Sequence, residues 1–223
     1  MSETTTSRYP AAIVASAPVV LLAAFLWHPY IPGRLPNNAA VASAAAADTT
    51  RWAVAHLAAV VASAVAVLAF MAVRNYLREA GDTRWSSFGL PFIVLGSTLY
   101  AVLPGMEFAP LAAVESGADA QAAQAALQPW FLAVLFSGAL PFAIGTVGFA
   151  VAIARSAIFS PRLAWLVVAA LIVMAASRLV PLFAVQFYVQ GAVALIALWP
   201  LAYQMSKHPQ ARPVVQTPPI PAR

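Results

Sequence analysis

Four ionisable side chains lie at or near the ends of long apolar stretches, and they are the residues of this sequence best suited to chemistry. His28, Glu107 and Arg178 each follow an apolar stretch, and His56 lies a few residues into another. Ionisable groups at membrane depth are costly, so they are usually either paired or functional. If the stretches are membrane helices, the four side chains meet at one face of the membrane. We therefore take them as the candidate site.

The two histidines suggest a bound cofactor. Neutral imidazole is the commonest metal ligand in proteins, and paired imidazoles also hold haem iron. The end of the first apolar stretch and the start of the second bring His28 and His56 within reach of each other. Haem b, or a metal ion, held by these two residues is one hypothesis.

A pocket for an amphiphile is a second hypothesis from the same residues. The Arg178 guanidinium would bind an acidic head group, while His56 and Glu107 would exchange protons. Further hydrogen-bonding side chains expected at this pocket are Tyr100, Gln186 and Gln190. The two glutamines are four residues apart and therefore share a helix face.

Other interpretations stay open. His56 could be satisfied by Glu107, Tyr100 or a backbone carbonyl, and Glu107 could form a salt bridge with Arg178, with no function in either case. The chain could be a structural subunit whose partners, a second copy or other membrane proteins, pack on its small-residue faces. It could also be an integral membrane enzyme acting on lipid or isoprenoid, with His56 and Glu107 as the acid–base pair.

The composition requires that lipid surround most of the surface. Of the 223 residues 62% are hydrophobic and 9% are charged, whereas a soluble domain has about 25% charged residues. The formal charge of +5 comes from short basic segments between apolar stretches, so no basic face exists for nucleic acid. Cysteine is absent, which excludes disulfides and thiolate sites. There is also no HExxH, GxSxG or Walker motif.

Six apolar stretches predict an all-α bundle of about six transmembrane helices. They cover residues 11–27, 52–73, 86–106, 130–154, 162–178 and 183–204. Arg178, followed by Pro181, separates the last two, since a proline disfavours helix at the residue before it. We expect a short N-terminal segment, 1–10, a transmembrane domain, 11–204, and a disordered Pro-rich tail, 205–223.

Tryptophan and the basic residues predict how the helices lie in the membrane. Each stretch has one tryptophan near an end, as expected if indole lies at the headgroup level: Trp27, Trp52, Trp85, Trp130, Trp165 and Trp199. With a cytoplasmic N-terminus, nine Lys or Arg lie on the inner side and three, Arg34, Arg51 and Arg178, on the outer side. Both termini are therefore predicted to be cytoplasmic. We expect short helices in the outer segments, in the Ala-rich part of 28–51 and along the outer surface at 118–127.

The chain resembles the Ala-rich, multi-pass membrane proteins of high-GC bacteria. The resemblance lies in Trp52-Ala-Val-Ala-His56-Leu57, which opens one stretch, and Gly105-Met106-Glu107, which closes the next. It implies a location in the bacterial inner membrane, with membrane lipid as the immediate partner, and it implies no particular activity.

Overall fold

The computed structural model describes residues 8–207, and within that range the chain is helical and has no strand. This confirms the predicted all-α class. The helices are α1 Tyr9–Trp27, α2 Asn38–Ala47, α3 Thr49–Glu79, α4 Trp85–Met106, α5 Phe108–Ser116, α6 Ala120–Arg155, α7 Pro161–Ser177 and α8 Gln190–Lys207. A π-helical segment, Ala184–Val189, leads directly into α8. The predicted tail lies outside the described residues from position 208 onward, and 205–207 belong to α8.

Five helical segments are long and apolar enough to cross a membrane. They are α1, α3, α4 continued by α5, α6, and α8 together with the π-helical segment. The predicted stretch 162–178 forms α7, which is apolar but only 17 residues long. The short helix expected in 28–51 is present as α2. The helix expected at 118–127 is present from Ala120 onward, where it forms the first turns of the 36-residue helix α6 and is not a separate short helix.

Six of the helices form a closed ring. Around the ring, α1 packs against α3, α3 against α4, α4 against α6, α6 against α7, α7 against α8, and α8 returns to α1. At one end of the ring the interior is filled by aromatic side chains, with Phe70 packed against Phe142 and Phe149. We call the opposite end, which carries His28 and His56, the histidine end.

The histidine end is covered by the segments between the ring helices. Ile31, Trp52, Leu111 and Phe183 form a small apolar cluster of their own there. The Leu35 N–H donates to the Pro181 carbonyl at 2.9 Å, which ties residues 28–37 to the connection between α7 and α8. This cover encloses the polar side chains of the candidate site.

Glycines bring α4 and α6 into backbone contact. Gly89 and Gly96 on α4 face Gly138, Gly145 and Gly148 on α6. A Cβ added at Gly96 would meet the Phe142 backbone nitrogen, and would lie 2.8 Å from the Gly138 oxygen. Small residues allow such close approach between membrane helices, where lipid supplies no hydrophobic driving force.

Gly96→Ala should therefore destabilise the protein by about 1–3 kcal/mol, the usual cost of overpacking a site that cannot relax. The control is Gly105→Ala in the same helix, where an added Cβ meets nothing within 4 Å. Equilibrium unfolding in detergent measures both. Equal stability of the two variants would contradict the backbone contact.

The turn between α3 and α4 is held by Asp82. Its carboxylate accepts hydrogen bonds from the backbone N–H groups of Ser86 at 2.7 Å and Trp85 at 3.0 Å. These are among the N–H groups that the first turn of a helix leaves without partners. Burial raises the pKa of the Asp82 carboxyl, but the hydrogen bonds from Ser86, Trp85 and Arg84 lower it by more than burial raises it. The net pKa therefore lies below 3.8.

Asp82→Ala is expected to cost about 0.5–2 kcal/mol of stability, as for other lost N-terminal caps. Because the folded-state pKa is depressed, this contribution is complete above pH 3.8 and is lost as the pH falls through the folded-state value. Unfolding of wild type and variant should therefore differ at neutral pH and converge in strong acid. A difference independent of pH would contradict the role of the carboxylate.

Candidate functional site

Prolines end the helices at the residues that carry the site. Pro29 follows His28 at the end of α1, and Pro181 lies three residues after Arg178. Pro110 lies in the first turn of α5, where its ring is tolerated but would clash with the Met106 carbonyl in a continuous helix. The break between α4 and α5 accordingly falls at Glu107. Local backbone chemistry therefore places these polar residues at the helix ends.

A cavity of about 430 Å³ occupies the ring at the histidine end. All seven residues proposed from the sequence as binding residues line it: His28, His56, Tyr100, Glu107, Arg178, Gln186 and Gln190. Along α3 its wall is a stripe of small residues, Ala59, Ala62, Ser63 and Ala66, ending at Phe70. The 14 positions from His56 to Phe70 correspond to a length of about 21 Å. The cavity is therefore elongated along α3, with the two histidines at one end.

The two histidines face each other through their Nε2 atoms, which are 3.3 Å apart. The Nδ1 atom of His28 lies 2.7 Å from the Pro29 carbonyl oxygen, and that of His56 lies 2.6 Å from the Trp52 carbonyl oxygen. A carbonyl oxygen can only accept, so each Nδ1 carries a hydrogen. In the neutral rings both Nε2 lone pairs then point toward the same space. Burial, and next the neighbouring His56, lower the pKa of His28 to about 3, so its ring is neutral at physiological pH.

Glu107 is held by residues of two other helices. The Trp52 indole Nε1–H donates to its backbone carbonyl at 2.9 Å, and the Gln124 amide donates to its Oε1 at 3.0 Å. Its Oε2 atom is buried and has no hydrogen-bond partner. Among the described residues, Glu107 and Arg178 do not form the salt bridge that was one interpretation of the sequence.

Arg178 is enclosed by aromatic rings. Its guanidinium carbon lies 3.4 Å from the centroid of the Phe142 ring and 4.3 Å from that of Tyr100. The side chain is 4% exposed, and its Nη1 atom has no hydrogen-bond partner. Cation–π contact offsets part of the desolvation of a buried cation. Among the described residues no carboxylate pairs with it, so Arg178 is a buried positive charge that lines the cavity.

The π-helical segment positions the two glutamines. Gln186 donates its side-chain amide to the Arg178 backbone carbonyl at 3.3 Å. In the amide orientation that satisfies both of its groups, Gln190 accepts from Arg178 Nε at 3.1 Å and donates to the Gln186 carbonyl at 2.7 Å. Single π-turns within helices are frequent at functional sites. Here the turn orients Arg178 through both glutamines.

Sequence reasoning missed part of this arrangement. Gln124 was not proposed, and only its position amid alanines at the start of α6 sets it apart. Phe142 carries no polar signal at all. The interpretation of Trp52 as a membrane-interface anchor is wrong, because its side chain is 1% exposed and belongs to the site. Small residues of α3, among them Ala62 and Ala66, line the cavity.

The geometry gives no support to haem held by both histidines. Axial ligation places the two nitrogens on opposite sides of the iron, about 4 Å apart for bonds of about 2.0 Å, with the macrocycle between the rings. The Nε2 atoms here are 3.3 Å apart and the ring centroids 4.7 Å. A flat porphyrin does not fit between them.

Comparison with known proteins adds no constraint on this site. No protein-family model, curated protein or solved structure matches the chain. Function must therefore be argued from the cavity itself.

Trp52→Phe should destabilise the protein by about 1–3 kcal/mol, because it leaves the buried Glu107 carbonyl without its donor. The matched control is Trp165→Phe, since Trp165 is 67% exposed and exposed substitutions usually change stability by less than about 0.5 kcal/mol. Equilibrium unfolding in detergent compares the two. A cost at Trp52 no larger than at Trp165 would contradict this arrangement.

Proposed function

We propose that this protein is a small inner-membrane protein that binds an acidic amphiphile, with the head group at Arg178 and the apolar chain along the ring cavity. The observation that supports this most directly is the Arg178 guanidinium, buried in the cavity with an unpaired Nη1 atom. Its hydrogen bond to Gln190 and its two aromatic contacts offset only part of the several kcal/mol that burying a charge costs. An anionic head group would supply the missing partner.

The shape of the cavity supports an elongated ligand. Its volume of about 430 Å³ lies within the usual range for small-molecule sites, about 300–1,000 Å³. Apolar side chains of α1, α3 and α8 line its length, with the two imidazoles at the histidine end and the Arg178 guanidinium farther along the cavity, against Phe142. A single chain with a polar head matches this distribution better than a flat ring system.

Part of the cavity wall reaches the outer surface of the bundle. Two of its lining residues, Phe136 on α6 and Leu179 just after α7, are 59% and 46% exposed. Both are apolar. We expect an apolar chain to enter the cavity from lipid near these residues.

We further propose six membrane crossings with both termini in the cytoplasm. At about 1.5 Å per residue, the 17 residues of α7 span about 25 Å, near the lower limit for a crossing. The nine-to-three distribution of Lys and Arg supports cytoplasmic termini. In this orientation the histidine end lies at the outer leaflet, and the Arg178 guanidinium lies deeper, against Phe142.

The geometry favours binding over acid–base catalysis by His56 and Glu107. The two ring nitrogens of His56 face the Trp52 carbonyl and His28, and Glu107 Oε1 faces Gln124. No hydrogen bond links the His56 ring to the Glu107 carboxylate among the described residues. An enzyme acting on lipid or isoprenoid, and a structural subunit of a membrane complex, stay as predictions from the sequence.

Arg178→Gln tests the proposed function. After delipidation, wild type should bind palmitate at least tenfold more tightly than methyl palmitate, because only the acid presents an anion. Arg178→Gln should lose this preference, while its thermal unfolding shows that the bundle remains intact. Titration calorimetry in detergent, or native mass spectrometry, measures binding.

The control is Arg162→Gln, at the exposed opposite end of α7. It should bind palmitate as wild type does. Equal affinity of wild type for the acid and the ester, or an unchanged preference in Arg178→Gln, would contradict the proposal.

A further inference from the structure

The histidine pair has a geometry that acid binding by Arg178 does not use. Each Nδ1–H is fixed by a backbone carbonyl, so neither ring is free to turn its other nitrogen away. The two Nε2 atoms then present lone pairs to each other at 3.3 Å. Two acceptors held that close without a donor repel each other, unless a positively charged species lies beside both.

The separation matches the edge of a tetrahedral metal site. Two zinc–nitrogen bonds of about 2.0–2.1 Å at the tetrahedral angle place their nitrogens about 3.3–3.4 Å apart. A linear two-coordinate ion would need about 4 Å. Histidine ligands of metals almost always donate their other ring N–H to a carboxylate or a backbone carbonyl, as His28 and His56 both do.

We infer that the Nε2 atoms of His28 and His56 form a binding site for a zinc-class divalent ion at the polar end of the cavity. Both side chains are buried and line the cavity, so its space supplies the remaining coordination positions. Among the described residues no third His, Cys, Asp or Glu joins them as a cluster. The site is therefore open, with water or a bound anion as the further ligands.

The side chains around the two histidines suit a metal ion that has few protein ligands. The rings of Trp52, Phe183 and Phe187 lie with centroids 5.1 to 5.4 Å from that of His28. An apolar shell of this kind limits solvent access and fixes the orientation of the imidazoles. Imidazole donors favour zinc, copper, iron and nickel over magnesium or calcium.

The test uses the full chain in detergent, stripped with chelator and dialysed against Zn²⁺ or Mg²⁺. Wild type should retain one equivalent of Zn²⁺ and no Mg²⁺, measured by elemental mass spectrometry. His28→Ala and His56→Ala should each weaken Zn²⁺ binding at least tenfold. The third histidine gives the control, so His208→Ala should bind as wild type does.

X-ray absorption of zinc-loaded wild type keeps the inference testable even if a histidine variant fails to fold. Two imidazole nitrogens in the zinc coordination shell are expected. The inference would be overturned if no zinc were retained, which would mean that the two imidazole rings share only a proton. Zinc retained through His208 instead would also overturn it.

The inference does not rest on the proposed amphiphile, and the two can fail separately. Arg178→Gln should keep its Zn²⁺ while losing the preference for palmitate over the methyl ester. Loss of Zn²⁺ in this variant, with wild-type thermal unfolding, would contradict a site made by the two histidines.

Discussion

Backbone contact between α4 and α6 is the constraint on which the rest of the bundle depends. Glycines on both helices let the backbones approach to a distance at which a single added Cβ at Gly145 would lie 2.7 Å from backbone atoms of Gly89 and Ile93. Lipid provides no hydrophobic force between helices, so contact of this kind supplies much of their association. The pair carries Tyr100 and Glu107 on one helix and Phe142 on the other. The geometry of the site is therefore set by this interface.

A ring of six helices can close tightly at one end and stay open at the other. Here large aromatic side chains such as Phe70 and Phe149 fill one end, while alanines along α3 leave space at the other. The open end is where prolines interrupt the helices and expose polar groups to the interior. Burying Arg178 and Glu107 in this cavity without an ionic partner costs stability, and a cost of that kind is typical of sites that bind a ligand.

The helices and the backbone positions of the polar residues at helix ends could be predicted from sequence, because both depend on local features. Long apolar stretches define the helices, and prolines end them near His28 and Arg178. The pairings could not be predicted, because they depend on which helix faces which, and alanine- and valine-rich helices present similar surfaces on every side. Thus the Glu107 carboxylate accepts a hydrogen bond from Gln124 rather than from Arg178. The Trp52 side chain lies in the interior, where its indole donates to the Glu107 carbonyl. The central cavity forms only when the six helices close into a ring, so the sequence of no single helix predicts it.

The central claim is that the buried polar groups of the histidine end exist to hold a ligand in this cavity. An experimental density map of the protein purified with its native lipid tests this most directly. The account predicts elongated density along α3, with its polar end within hydrogen-bonding distance of the Arg178 guanidinium. An empty cavity, or one closed by a direct ion pair between Arg178 and Glu107, would contradict it.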